Sequence, residues 1–228
     1  MGGIMLINEI FSSIDGEVNH FGQGRFSTFI RLQGCNLQCL WCDSLKARNK
    51  DEFSYEMTPG EVFKKVSEFN CNKITITGGE PLEQRKGLRR LLEMFYSKPQ
   101  FDLTIETNGS KSLSDISYMA SWVVDYKLAS SGMQREMNPD AFKQLTAKDT
   151  VKFVIQNKED VFVAFDFMGE NFPNKSASGN SDYPTFAFGP VYKKLSPKKL
   201  VEWIKESQLT KHYKIALNIQ LHKFLDLP

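Results

Sequence analysis

Cysteine is scarce in this chain: four residues in 228. In a reducing compartment, where thiols stay reduced, cysteines that cluster point to metal or redox chemistry more than to a disulfide framework. Histidine is scarcer still, at three. Neither charge sign prevails: 29 basic and 27 acidic residues leave a formal net charge of +2. This balance offers no electrostatic handle for nucleic acid or an anionic membrane. No apolar run reaches the roughly 18 residues of a membrane span. The opening "MGGIMLINEIF" lacks a basic n-region and carries Asn8 and Glu9, so no signal peptide is expected and a cytoplasmic location is. There is no internal repeat and no long low-complexity tract. What is present is a hydrophobic content of 41%, enough to fill a substantial core. A single domain over residues 1–228 is expected.

Strand-like and helix-like segments alternate. Strands are expected at 4–11, 26–34, 73–77, 101–107, 122–127, 150–155, 185–188 and 213–217, all rich in β-branched or aromatic residues. A helix is expected at 58–69, with Thr58 as N-cap, Pro59 at the first turn and Glu61 completing a capping box. Further helices are expected at 83–97, around 138–147 and 158–169, and at 196–207 with Ser196 as cap and Pro197 following. The polar stretch 169–184 reads as a surface loop. Repeated β–α alternation with short connections implies a mainly parallel sheet flanked by helices. The α/β chain is therefore expected to form a partial, incomplete TIM-type barrel of about six parallel strands.

Three of the four cysteines stand in "GCNLQCLWCDS", residues 34–44, at Cys35, Cys39 and Cys42; Cys71 lies apart. A structural zinc takes four protein ligands, and the fourth here would be Cys71, His20, His212 or His222. An iron–sulfur cluster also normally takes four thiolates. Three thiolates on a four-iron cluster leave one iron open, which is a catalytic feature. Fortuitous buried thiols are the plain alternative.

The spacing C-x-x-x-C-x-x-C, with an aromatic residue before the last cysteine, resembles the radical S-adenosylmethionine (SAM) superfamily. The resemblance implies a [4Fe–4S] cluster on Cys35, Cys39 and Cys42, with SAM on the open iron. One electron then cleaves SAM to a 5′-deoxyadenosyl radical, and no side chain is assigned as acid or base. "TGGEP" at 77–81 follows a strand and resembles the superfamily's glycine–glycine–glutamate motif, so Gly78, Gly79 and Glu80 are expected to meet SAM. Polar residues at the carboxyl ends of parallel strands face the ligand crevice. On that ground Glu106, Asn108, Asp125, Tyr126 and Lys127 are candidate cofactor contacts, joined by Trp41 and Asp43 of the cysteine loop.

Residues 9–44, "EIFSSIDGEVNHFGQGRFSTFIRLQGCNLQCLWCDS", and the ending "LNIQLHKFLDLP" resemble the 7-carboxy-7-deazaguanine synthase family. That resemblance implies a substrate, 6-carboxy-5,6,7,8-tetrahydropterin, a pterin bearing a carboxylate. Hydrogen abstraction from C6, ring contraction and loss of ammonia and a proton would yield 7-carboxy-7-deazaguanine, an intermediate toward queuosine and related deazapurines, with SAM regenerated. The expected substrate contacts are Ile14, Asp15, Gly16, Glu17, Arg31, Thr77 and the terminal carboxylate of Pro228. Arg31 offers a guanidinium that can grip a carboxylate in a fork. Mg²⁺ is expected at the Ser44 hydroxyl, with Asp43 orienting it. The resemblance further implies a homodimer and a flavodoxin- or ferredoxin-type electron donor, with no nucleic-acid or membrane partner.

The sequence departs from the family at Asp125-Tyr126-Lys127, where Ser-Pro-Lys is common, and at 186–191, where a Gln-Pro pair near the adenine is common. Phe188 there is either an adenine platform or core. His222 is the best of the three histidines for a site role, and Cys71 reads as a plain thiol. Two alternatives stay open. A glycyl-radical activating enzyme is one, though that class has tyrosine before its last cysteine and His-Asn after it. A non-catalytic zinc or iron–sulfur module is the other.

Overall fold

The structure is a computed structural model and describes residues 3–173, 182–207 and 209–227. Its strands are β1 (Met5–Ile14), β2 (Phe26–Leu32), β3 (Tyr55–Met57), β4 (Lys73–Gly78), β5 (Asp102–Thr107), β6 (Ser121–Tyr126), β7 (Thr150–Ile155), β8 (Thr185–Pro190) and β9 (Ile215–Leu217). They form one sheet in the order β3–β1–β2–β4–β5–β6–β7–β8–β9. β1 runs antiparallel to both its neighbours. Every pairing from β2–β4 onward is parallel. Seven strands therefore share one direction, against the six or so expected. The sheet stays open, with β3 and β9 at its edges.

The five α-helices are α1 (Pro59–Ser67), α2 (Arg85–Tyr96), α3 (Lys158–Asn171), α4 (Pro197–Glu206) and α5 (Leu221–Leu225). α1 begins as its sequence dictates. Thr58 Oγ1 accepts from the Glu61 amide at 3.3 Å, and Glu61 Oε2 accepts from the Thr58 amide at 2.7 Å. Asn157 caps α3 through the Asp160 amide at 2.9 Å. Ser196 stands at the N-cap of α4 without a side-chain cap bond, so the pre-set backbone of Pro197 starts that helix alone. α2 buries Leu88, Leu91, Leu92 and Phe95 on one face. These join strand residues such as Ile30, Ile76, Ile105 and Val124 in the core. A second aromatic cluster gathers Tyr126, Phe142, Phe153 and Phe167 between β6, β7 and α3.

Three expectations are corrected. Residues 138–147 contain only a 3-10 turn, Pro139–Ala141, because the Asn138 side chain takes the Asp140 amide at 3.0 Å and closes the chain into a turn. The stretch 169–184 opens inside α3, which ends at Asn171, and residues 174–181 lie outside the described residues. The 3-10 turn Pro81–Gln84 precedes α2, so that helix starts two residues later than expected. No helix among the described residues is long and apolar enough to cross a membrane.

The floor of the barrel, at the amino ends of the parallel strands, is polar and sealed. Lys73, at the start of β4, ion-pairs with Asp15, and both are 1% exposed. Thr75 Oγ1 donates to Asp15 at 2.9 Å, and Ser27 lies 2.8 Å from Thr75. The opening between β1 and β9 is spanned by side-chain bonds. Asn218 accepts from the Val18 amide at 2.6 Å, and Gln23 donates to the Ile219 carbonyl at 2.7 Å.

Candidate active site

The cysteine loop leaves β2 and is tied down on both sides. Gly34 and Cys35 donate backbone bonds to Ala47 and Arg48 at 2.8 and 3.0 Å. The turn after β4 returns against it: Gly79 donates to Leu32 at 3.0 Å and Glu80 to Gly34 at 2.8 Å. A Cβ on Gly78 would overlap the Leu32 backbone, and one on Gly79 the Gly34 carbonyl. Gly78 also takes φ of +135°, which side-chain-bearing residues rarely adopt. The glycine pair thus lets two backbones pack within van der Waals reach, which positions the thiols.

Cys35, Cys39 and Cys42 open into one cavity of about 610 Å³ at the carboxyl ends of the parallel strands. That is where an open α/β sheet binds ligands, and the volume suits a cofactor with a small substrate. The same cavity is lined by Trp41, Asp43 and Ser44 from the loop and by Gly78 and Gly79. Arg31, Thr77, Glu106, Asn108, Asp125 and Lys127 reach it from the strands, and Ile14, Gly16 and Glu17 from the turn after β1. Those residues, expected on separate grounds, come together here.

Four do not. Asp15 is locked into the floor with Lys73. Glu80 is fully buried and spends its carboxylate on the Leu82 amide, the Asn108 amide and the Thr107 hydroxyl, at 2.9, 2.7 and 2.8 Å. It therefore holds the β4 turn to the end of β5 instead of facing a ligand. Tyr126 turns its ring into the aromatic core, its centroid 4.1 Å from that of Phe167. Strand alternation sends it to the opposite face from Asp125. Pro228 lies outside the described residues. Phe188 is fully buried against Phe153 and is core.

Cys71 sits at the floor, its thiol 3.3 Å from the Phe26 carbonyl, whereas the three loop thiols follow the far end of β2. Six residue steps along β2, about 20 Å, separate the two ends. The fourth thiol cannot join the other three, which removes the four-thiolate electron carrier. Among the described residues no three His, Cys, Asp or Glu side chains converge on one metal-ion position, the arrangement a structural zinc needs. The thiols of a cluster each bind a separate iron and need no such convergence.

The cavity carries an alternating set of charges. Arg31 Nε donates to Glu9 at 2.7 Å, and its Nη1 donates to the Ser44 hydroxyl at 2.9 Å. That hydroxyl donates in turn to Asp43 at 3.3 Å. Lys127 pairs with Asp125 at 2.8 Å. Burial alone would raise Asp125, but Lys127 and Lys152 hold its carboxyl below the usual range. Asp43 is likewise pulled well down, burial being outweighed by Lys223 at 2.8 Å and by Lys152 and Lys127. Glu106 goes the other way. Burial, with the charges of Glu17 and Asp15 nearby, pushes it up to about 7, while Thr77 donates to it at 2.9 Å. Burial raises the thiols of Cys35 and Cys39, and Lys127 partly offsets this at Cys39. Asp125 Oδ1 is buried without a hydrogen-bond partner. An orphaned carboxylate oxygen on the wall of a cavity calls for a donor from a ligand. With three thiols beside it, this donor set fits a cluster that carries SAM.

Sequence reasoning passed over several wall residues. Lys152 on β7 lines the cavity, as do Gln220 and Lys223 of the C-terminal segment. Gln220 donates to Glu17 at 2.8 Å, and Asn218 donates to the other oxygen of that carboxylate. His222, the histidine that the sequence favoured for a site role, lines the cavity too and presses on Gly16. A lysine inside the otherwise apolar strand TVKFVI was the available signal for Lys152, because a strand buried on both faces rarely carries an unpaired charge.

Comparison with known proteins agrees with this geometry. The radical SAM superfamily model matches residues 29–126. A 7-carboxy-7-deazaguanine synthase of Clostridium acetobutylicum is 35% identical over 220 residues, which cover 95% of this chain and 94% of that protein. Those of Leptospira interrogans and Koribacter versatilis are 32% and 30% identical, over 96% and 98% of this chain and 94% and 98% of theirs. The crystal structure of QueE from Escherichia coli superposes with a TM-score of 0.68 at 19% identity, covering 94% of this chain and 93% of that one, and so shares the fold. The chain belongs to the 7-carboxy-7-deazaguanine synthase family, within the radical SAM superfamily.

Proposed function

We propose that this protein is a 7-carboxy-7-deazaguanine synthase, a radical SAM lyase that contracts 6-carboxy-5,6,7,8-tetrahydropterin to 7-carboxy-7-deazaguanine with release of ammonia. The observation that carries the reading is the single cavity in which the three-cysteine wall faces Arg31, in a chain matched nearly end to end by synthases. Cys35, Cys39 and Cys42 would hold a [4Fe–4S] cluster. When bound, cluster and SAM supply the one-electron chemistry that takes a hydrogen atom from the substrate.

The chain's own residues bind and orient. Arg31 sits where a guanidinium can take the pterin carboxylate, steadied by Glu9, which Lys46 also pairs at 2.7 Å. Glu17, ionised and held by two amides, presents an acceptor to the donor edge of the pterin. Thr77 and Glu106, bonded to each other, add a hydroxyl and a carboxyl on the wall between them. Asp125 Oδ1 is an acceptor for a ribose hydroxyl or the ammonium of SAM. Mg²⁺ belongs to the same reading. The Ser44 oxygen borders the cavity beside the Asp43 carboxylate, a donor pair suited to a hard cation that keeps several waters. An electron donor of flavodoxin or ferredoxin type, a homodimer and a cytoplasmic setting complete the reading.

The carboxylate assignment has a binding test. Wild-type protein should prefer 6-carboxypterin over 6-methylpterin, as read by quenching of pterin fluorescence. A charge-assisted pair contributes about 1.5–3 kcal/mol, or roughly ten- to a hundredfold in affinity. Arg31→Met should erase that preference while iron content and melting stay as they were, since Lys46 still pairs Glu9. An unchanged preference in the variant would place the carboxylate elsewhere.

A further inference from the structure

Lys152 is the third residue of β7, and no motif marks it. It is 8% exposed, and its amine lies 3.3 Å from Glu17 Oε1 and 3.3 Å from Asp125 Oδ2. Charge-assisted N–H···O bonds ordinarily close to about 2.7–2.9 Å. The amine is thus shared between two acceptors and fully committed to neither. The two carboxylates belong to different walls. Glu17 comes from the turn after β1 and is held by Asn218 and Gln220 of the C-terminal segment. Asp125 is the last residue but one of β6, is paired with Lys127, and keeps its second oxygen unpartnered. Glu106 on β5 and Asp43 on the cysteine loop add negative charge around the same amine, so it stays an ammonium despite its burial. No other cation reaches both Glu17 and Asp125 among the ion pairs of the described residues.

We propose that Lys152 is a positioning residue that couples the two halves of the cavity, tying the substrate-facing carboxylate Glu17 to the cofactor-facing carboxylate Asp125. A ligand donor that arrives on Asp125 weakens that carboxylate's pull on the shared ammonium. The amine then closes on Glu17 and fixes it for the pterin. Binding at Glu17 acts back on Asp125 by the same factor, because coupling of affinities is reciprocal. The assignment of pterin to one wall and SAM to the other rests on the function proposed above.

The experiment uses the cluster-loaded protein and calorimetry. SAM is titrated with and without saturating 6-carboxypterin, a stable oxidised analogue. In the wild type the pterin should tighten SAM about fivefold or more, within the usual range for coupled sites. Lys152→Met should bring that ratio to within about twofold of unity, and Lys152→Arg should restore part of it. If the Met variant fails to load its cluster, Lys152→Gln replaces it, neutral but still a donor, with the same loss of ratio expected. A wild-type ratio of one, or an unchanged ratio in the neutral variant, overturns the coupling role. Turnover of the tetrahydropterin by the same wild-type preparation separates the two claims. Product formed without coupling defeats the role of Lys152 alone. A preparation that binds no pterin defeats the functional reading and this proposal with it.

Discussion

Glu106 shows how far one buried side chain can depart from its ordinary chemistry. It lines the cavity, accepts from Thr77, and titrates at about 7 because burial and the nearby charges of Glu17 and Asp15 disfavour its anion. A carboxyl raised in the folded state stabilises the fold fully below its ordinary value of about 4.3, and that contribution is lost as pH rises through about 7. Glu106→Gln removes the titration. The melting temperature of the wild type should therefore fall relative to the variant as pH goes from about 6 to about 8, by a few degrees for roughly 1–1.5 kcal/mol. Melting curves that stay parallel across that range would show that Glu106 ionises normally. At this scale the place of the cysteines, the glycine pair and Arg31 on the cavity was legible, because their chemistry or their lack of a side chain restricts what can stand there. Glu80 and Tyr126 were misread for one shared reason. A motif names residues near a ligand but not the direction of each side chain. Glu80 turns back to brace β5, and Tyr126 obeys the strand alternation that its neighbours Asp125 and Lys127 also obey. Lys152 carried too faint a signal, one charge in one apolar strand.

Elements are set by contacts that local propensity only partly reports. The capping box at Thr58 and Glu61 and the leucine face of α2 could be read directly. β3 could not, since three residues paired at an edge leave no period to detect. α5 is a five-residue helix pinned at its start by Gln220 on Glu17 and by Lys223 on Asp43, contacts distant in sequence. The contact that matters most to the site is backbone on backbone, where the turn after β4 meets the cysteine loop. Gly79→Ala would drive a methyl into the Gly34 carbonyl. The loop must then move, carrying Cys35 with it. The expected result is a protein that keeps its helical circular dichroism but binds well under half the wild-type iron after reconstitution. Full iron content in that variant would mean the loop does not depend on this close approach.

Across the whole molecule, β–α alternation gave the parallel sheet, and the sheet gave the place of the cavity. What alternation cannot supply is the closure of an open barrel. Here the turn after β1 meets residues 218–220 across the gap, joining segments some two hundred residues apart in sequence. Such a contact leaves no local trace. It nonetheless decides the site, because Glu17 is fixed from one side by that segment and from the other by β7. The arrangement amounts to one sealed polar floor, one three-thiol wall and one charged rim. Its central claim is that the chain turns a carboxylated tetrahydropterin into a deazapurine. Anaerobic turnover tests this most directly: reconstituted protein with SAM, Mg²⁺, a reductant and 6-carboxy-5,6,7,8-tetrahydropterin, the products followed by mass spectrometry and ammonia release. The account predicts 7-carboxy-7-deazaguanine and ammonia in equal amounts, both absent from Cys39→Ala. Cleavage of SAM to 5′-deoxyadenosine with the pterin left intact would contradict it.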